Sequence, residues 1–540
     1  MEDKPYWPSH LTNNVVSQAD GHELCAYLVA LEGWRRGLEL KWYSGEFEKF
    51  NKMKTWYVDR PGKLFSLSTS SRTHYFFRTR SDIITNEAVE IGSDKDNTKK
   101  VLSKLGVPVP NGKRFNSSYS DEQIVDESLE IGFPLVVKPV DGSFGRGVIT
   151  NIINKESLKK AVKYIRNELK YNDVIVEEYI AGEEYRVYVV GDEVVAAMHR
   201  IPANIIGNGI DTIKELIEKK NQNRRENPRL ISCPIKVNKE LEEFIQASGY
   251  RLSSILQEGK QLFLTNKSNI SLGGDPIDVT DTISDKAKEI AIDAVKAVPG
   301  LFYGGVDIII NDRTSNNETV AVIELNPTAQ IGSLLYPSQG KGRDVPAAII
   351  DYLFPESVSD SKEKSTLYFD FQDVLSPLEN KANLMTKVSR IQEGKTYGKK
   401  YTIYGDIDDV YYLRQLKNEA LSRNLHGFVN KIEPQKIEVI IAGEDIKKIL
   451  TYKDVLNWNN NGDFTISEQN WDKPVKMGFE IQNEPDKLID ELKTLRTNRD
   501  SLSKKKRNAE KQYKLYREST SWKISKPLRA IYNIVKRILK

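Results

Sequence analysis

Pro134-Leu135-Val136-Val137-Lys138-Pro139-Val140, followed at once by Asp141-Gly142-Ser143-Phe144-Gly145-Arg146-Gly147, is the stretch from which the fold is read. An apolar, strand-like run ends in a lysine. An inward-facing lysine is costly unless an anion or a carboxylate neutralises it. In the next seven residues the glycines let backbone N–H groups approach phosphate oxygens, and Arg146 adds a forked donor. A second strand-like run at 148–153 makes the glycine-rich segment the tip of a hairpin. A salt-bridged lysine beside a flexible turn has the same local pattern, so the reading depends on what lies downstream.

Downstream, two apolar runs are interrupted by oxygen-bearing side chains. Asp307 sits in Gly304-Gly305-Val306-Asp307-Ile308-Ile309, and Glu324 and Asn326 sit in Val322-Ile323-Glu324-Leu325-Asn326-Pro327. The two-residue period of a strand puts Glu324 and Asn326 on one face, where they can converge with Asp307 on a hard cation. Two carboxylates and an amide oxygen suit Mg²⁺, which completes its shell with water and phosphate oxygens.

Around these runs, strand-like segments (174–180, 185–190, 194–198) alternate with helical ones (97–105, 156–168, 211–221, 284–297). This predicts an α/β (α+β) multidomain protein. The chain resembles the ATP-grasp carboxylate–amine ligases from about residue 88 to residue 355. The pattern is that of the ligase module of cyanophycin synthetase and of bifunctional glutathione synthetase, and more distantly of D-alanine–D-alanine ligase. The strings AVEIGSDKDNTKKVLSKLGVPVPNG, FPLVVKPVDGSFGRGV, VIVEEYIAGEEYRVYVVGDEVVAAMHRIPANIIGNG, NISLGGDPIDVTD, GGVDIII and VIELNPTAQI carry the resemblance.

The resemblance implies ATP as cosubstrate and Mg²⁺ as metal, with Mn²⁺ as an alternative. It implies that Lys99 and Lys138 contact the nucleotide phosphates and that Gly142, Ser143, Gly145, Arg146 and Gly147 cover them. Glu177, Tyr179 and Ile180 would form the adenine hinge, mostly through backbone groups, and Glu184 would bind the ribose. Arg186 and Arg200 would line the phosphate and acyl-phosphate region, and Asp307, Glu324 and Asn326 would hold the metal. Asn269, Ser271, Gly273, Gly274 and Asp278 would lie near the acceptor. A carboxylate then attacks the γ-phosphate, and an amine attacks the resulting acyl phosphate. The small-molecule, peptide or polymer acid and amine are not named by the sequence; amino-acid, peptide or cell-envelope polymer biosynthesis is the expected setting. Cyanophycin synthetase continues into a second ligase with its own nucleotide loop. No G-x-x-x-x-G-K-[ST] occurs in this chain, so a second ligation would need a separate partner ligase.

Working outward, 540 residues at roughly 150 per domain predict several units. The expected boundaries are 1–91 (a region preceding the ligase), 92–356 (ATP-grasp), 357–375 (linker), 376–471 (acylphosphatase-like), 485–520 (long charged helix) and 521–540 (basic tail). With 39% hydrophobic and 29% charged residues, the chain reads as globular. Two distant cysteines exclude a disulfide framework and a Cys-based zinc site, and five scattered histidines argue against a His-rich metal site. The N-terminus has no apolar signal core, and a cytoplasmic location is expected.

Residues 376–471 resemble an acylphosphatase-like α+β sandwich. Its phosphate cradle needs a glycine-rich turn, an arginine and an asparagine. Here the turn reads Asp406-Ile407-Asp408-Asp409, Leu413 takes the arginine's place with Arg414 beside it, and Asn430 is next to the asparagine position. An active acylphosphatase and a binding module that has lost catalysis both stay open. In 485–520, Leu488, Leu492, Leu495 and Leu502 fall near heptad spacing, which leaves open a coiled coil or a single helix. From 501 to 540 there are thirteen Lys/Arg against two Asp/Glu. In the last helix Leu528, Ile531, Val535 and Ile538 share one face, bordered by cations. That pattern fits docking on the inner face of the cell membrane, or packing on the protein itself. A membrane-docked nucleotide-binding scaffold is the non-enzymatic alternative. No nucleic-acid recognition motif accompanies the charge, so no nucleic-acid partner is expected.

Overall fold

The computed structural model describes residues 5–140, 147–311, 318–358, 365–391, 395–405, 410–433, 435–457, 464–482 and 485–518. Two units emerge: residues 1–397 with 442–446 and 472–477, and residues 398–441 with 447–471 and 478–540.

In the first unit, helix Gly21–Arg35 is apolar on nearly every face and buried from Leu24 to Arg35. It packs against an antiparallel sheet ordered Met385–Lys387, Glu39–Tyr43, Leu64–Ser68, Thr73–Phe77, Arg80–Ser81. Sequence placed 376–391 in the downstream module. The structure corrects this: Met385–Lys387 is an edge strand of the N-terminal sheet, with Lys41 opposite Lys387. The linker expected at 357–375 also contains built structure, since Leu367–Tyr368 pairs in parallel with Val475–Lys476. The chain therefore returns to the first unit after leaving it.

A four-stranded antiparallel sheet is ordered Gly112–Phe115, Val174–Glu178, Leu135–Pro139, Ile149–Ile152. Leu135, Val137, Val174 and Val176 join one core with Leu158 and Val162 of helix Lys155–Lys163. Strand alternation then turns Lys138 and Glu177 to the opposite face. A five-stranded antiparallel sheet is ordered Asp275–Asp278, Glu193–Ile201, Glu183–Val190, Tyr303–Asn311, Thr319–Asn326. Helix Asp285–Lys296 covers it through Ala287, Ala291, Ala294 and Val295. A small apolar cluster at 203–264 forms a separate lobe of this unit around helices Ile213–Glu226 and Lys239–Ala247.

The second unit runs strand, helix, strand, strand, helix, strand. Its sheet order is Thr465–Asn470, Tyr397–Tyr404, Lys436–Gly443, His426–Glu433, with Phe479–Gln482 added in parallel at the edge. This is the split βαββαβ arrangement. Tyr412 and Tyr452 cross-brace its two helices, donating to the Leu456 and Leu416 carbonyls at 2.9 and 2.7 Å. Helix Pro485–Glu518 follows, with Leu495 and Leu502 exposed. Among the described residues no helix is long and apolar enough to cross a membrane. The tail 521–540 and the turn 406–409 lie outside the described residues.

Candidate active site

Helix Lys95–Lys104 starts at Asp94, whose carboxylate accepts from the Asp96 and Asn97 amides, and it buries Thr98, Lys99 and Leu102. This brings Lys99 up to the free face of the four-stranded sheet. There the Glu177 carboxylate ion-pairs with both Lys99 and Lys138, the second at 2.5 Å. All three are buried, at 9, 6 and 4% exposure for Lys99, Lys138 and Glu177. Two ammoniums share one carboxylate, so the cluster carries surplus positive charge. Burial lowers Lys138 well below the usual lysine range and brings Lys99 down to about 8. Glu177 was expected to act through its backbone. Its side chain is instead the counter-ion of the lysine pair.

In the five-stranded sheet, Arg186, Asp307 and Glu324 stand in one row across three neighbouring strands. Arg186 grips Asp307 with two parallel bonds of 2.7 Å, and Arg200 donates to the same carboxylate at 2.8 Å. Arg200 also reaches Glu184 at 2.9 Å. Asn326 Nδ2 lies 3.5 Å from Asp307 Oδ2. Burial would push the Asp307 carboxyl up, but the two guanidiniums outweigh it and hold it below the ordinary range. Glu324 goes the other way, raised by burial and then by the Asp307 charge. Helix Lys95–Lys104 packs on strand Thr319–Asn326, and Glu324 and Lys95 both act on Lys138, so the lysine cluster and the carboxylate row stand near one another.

Gly142, Ser143, Gly145 and Arg146 lie outside the described residues. Gly147, with φ +76°, closes the hairpin against the Pro139 ring. Tyr179 and Ile180 are half-buried, and the Tyr179 amide donates to the Pro134 carbonyl at 2.9 Å. The segment around Asn269 reaches the cleft through Ser268, whose hydroxyl donates to Glu184. Asp278 does not stand free for an acceptor: Arg343 binds it in a fork, Nη2 to Oδ2 at 2.6 Å, and binds Asp281 as well. Gly273 takes φ +100° against Ile235, and the Gly274 carbonyl accepts from buried Arg224. Ser271 is exposed. Lys95, Ser268 and Arg343 were not found by sequence, because their partners are remote along the chain.

Residues 92–208 match the RimK-like ATP-grasp domain. The chain carries an ATP-grasp domain. It is 35% identical over 271 residues to cyanophycin synthetase of Synechocystis, covering 49% of this chain and 31% of that protein. It is 33% identical over 339 residues to the glutathione biosynthesis bifunctional protein GshAB of Clostridium perfringens, covering 62% and 41%. A bifunctional glutathione synthetase structure from Pasteurella multocida aligns over 54% of this chain and 41% of its own, at 29% identity and TM-score 0.43. This chain therefore spans about a third to two fifths of the curated relatives it matches. ATP-grasp ligases of these kinds are ADP-forming carbon–nitrogen ligases that use ATP with Mg²⁺ or Mn²⁺.

In the second unit, Leu413 is buried and Arg414 exposed, so the helix turns its apolar residue inward where a phosphate cradle would need an arginine. Asn430 is half-buried, its Oδ1 shut from solvent without a hydrogen-bond partner among the described residues.

Proposed function

We propose that the first unit is an ATP- and Mg²⁺-dependent ligase joining a carboxylate to an amine. The observation that carries this reading is the nearness of a surplus-cation cluster (Lys99, Lys138, Glu177) to a row of carboxylates and guanidiniums (Arg186, Arg200, Asp307, Glu324). A polyphosphate fits the first, since it supplies the negative charge that two buried ammoniums sharing one carboxylate lack. A hard cation fits the second. Asp307 and Glu324 place two carboxylates beside the Asn326 amide, and burial first, then the Asp307 charge, raises Glu324. When bound, Mg²⁺ would offset charge on the transferred phosphoryl group.

The chain's own residues do the rest. Lys99 and Lys138 hold the phosphates. Glu184 meets the ribose. Asp307 fixes both guanidiniums so that Arg186 and Arg200 present their remaining N–H groups to the reacting carboxylate and phosphoryl oxygens without reorganising. A carboxylate takes the γ-phosphoryl group, and an amine then displaces phosphate to leave the amide.

The substrates are a small-molecule or peptide acid and amine, and a separate ligase acts on the product if a second bond is made. The test is ADP release across panels of acids and amines, with mass spectrometry of the product. A turnover-dependent mass equal to acid plus amine minus water is expected, and ATP hydrolysis without any such product overturns the ligase reading. Docking of 521–540 on anionic membrane is a proposal carried by its cationic and apolar residues. Deleting the segment should free the protein from anionic vesicles at unchanged ADP release.

A further inference from the structure

Among the described residues one group of histidine and carboxylate side chains has the spacing of a metal site: His10, Glu32 and Asp344, whose ligating atoms lie within 4.8 Å of one another. They come from distant parts of the first unit. Glu32 lies in the last turns of helix Gly21–Arg35, His10 in the segment before that helix, and Asp344 directly before helix Val345–Leu353.

Each of the three is fixed by a further contact. Asp344 caps helix Val345–Leu353, its Oδ1 accepting from the Ala347 amide at 3.2 Å while Oδ2 faces His10. Arg36 holds Glu32 Oε1 at 2.6 Å. Arg35 donates to the His10 carbonyl at 3.1 Å and to the Leu367 carbonyl at 2.8 Å. Outer contacts of this kind orient the ligands of metal sites.

The spacing decides what the group is for. His10 Nε2 lies 3.4 Å from Asp344 Oδ2, and it is shut from solvent without a hydrogen-bond partner among the described residues. A hydrogen bond would bring such a pair to about 2.9 Å. A tetrahedral ion bonded to both atoms at about 2.1 Å would hold them about 3.4 Å apart. Charge points the same way. Arg36 pairs with both Glu32 and Asp351, and buried Arg35 lies beside Glu32 and Asp344. Among the described residues three carboxylates thus meet two guanidiniums, which leaves a negative charge for a cation. Glu32 is 4% exposed, whereas His10 and Asp344 keep an open edge through which an ion can enter.

We propose that His10, Glu32 and Asp344 bind a zinc ion, with water as the fourth ligand, that staples the segment 5–12 to the rest of the first unit. One imidazole nitrogen and two carboxylate oxygens suit Zn²⁺, whereas Mg²⁺ takes oxygen ligands, so this ion differs in kind from the one that serves phosphoryl transfer. The segment already runs along residues 336–342. The Tyr6 amide donates to the Gly340 carbonyl at 3.0 Å, the Gly342 amide to the Tyr6 carbonyl at 2.7 Å, and Trp7 Nε1 to the Pro337 carbonyl at 3.0 Å. A few hydrogen bonds hold such a segment weakly; one ion drawing on residues 10, 32 and 344 locks it.

The test uses the full chain stripped with EDTA, then titrated with Zn²⁺ in excess Mg²⁺ against a chromophoric chelator. One zinc per chain should bind and raise the melting temperature, and Co²⁺ in its place should give the strong visible bands of a tetrahedral site. His10→Ala should weaken zinc binding at least about tenfold and remove the rise in melting temperature, at unchanged ATP affinity. Asp344→Asn, which keeps a helix cap, is the second variant and should do the same. Glu324→Ala should retain the zinc, which separates this site from the carboxylates of the ligase centre. No zinc uptake, as for a bare His10–Asp344 ion pair, overturns the site. So do an octahedral cobalt spectrum, unchanged uptake in both variants, or uptake lost in Glu324→Ala.

Discussion

In the first unit the basic residues singled out by sequence, Lys99, Lys138, Arg186 and Arg200, are largely buried, and each meets a carboxylate. In the second unit Arg414 stands exposed on its helix while Leu413 before it fills the core. Burying an ion is costly, and a fold that buries several has a site assembled before any ligand arrives. A fold that leaves its one candidate cation in water has spent nothing on a site there.

The sharpest break of this contrast is Asp307→Ala. It strands Arg186 and Arg200 in the interior, so chemical denaturation should show a loss of about 3–5 kcal/mol alongside abolished ADP release. Glu324→Ala should abolish turnover too, but at unchanged or higher stability, because it removes a carboxyl that burial and Asp307 already disfavour. Equal destabilisation by both would mean that the row is a structural ion network. Lys138→Ala should cost ATP affinity on the order of 2–5 kcal/mol, read by nucleotide titration; unchanged affinity would take Lys138 out of the site.

The pH response separates binding from folding. Lys99 sits at about 8 against an ordinary 10.5. Phosphate oxygens would keep its proton on, so ATP affinity should be full below about 8 and fall as pH rises above it. In the free chain the unfolded state holds more protons between about 8 and 10.5, so folding stability from this group should rise over the same window. Lys99→Arg should flatten both slopes. The smallest effect belongs to the second unit. Arg414→Ala should change stability by less than about 0.5 kcal/mol, and neither it nor Asn430→Ala should change benzoyl-phosphate hydrolysis by the full chain. A loss of that hydrolysis in either variant would make the second unit an acylphosphatase.

The cleft was legible where one element carries its own signal. Lys138, Asp307 and Glu324 are charges set in apolar strands, and a period of two fixes their faces. The strands around them formed where the alternating runs lie, and helix Asp285–Lys296 falls within a residue of the expected 284–297. What failed was pairing between remote residues. Glu177 meets Lys138 across 39 positions, and nothing in E-E-Y-I distinguishes a hinge backbone from a counter-ion. Asp278 reads as an acceptor-site residue until Arg343, 65 positions on, closes over it. The boundary at 376 missed because Met385–Lys387 is three residues long and mostly exposed, too short to show a strand period.

The parallel pairing of Val475–Lys476 with Leu367–Tyr368 has a consequence for synthesis. A chain emerging from the ribosome cannot finish its first unit when residue 397 appears; the last strand of that unit is made after most of the second. The second unit's short-range βαββαβ segment can close early, while the older part of the chain waits for a piece of itself. Cutting the polypeptide at the visible boundary would remove a strand from the first unit, so a stop codon at 398 should give an aggregation-prone product where a deletion within 485–540 does not.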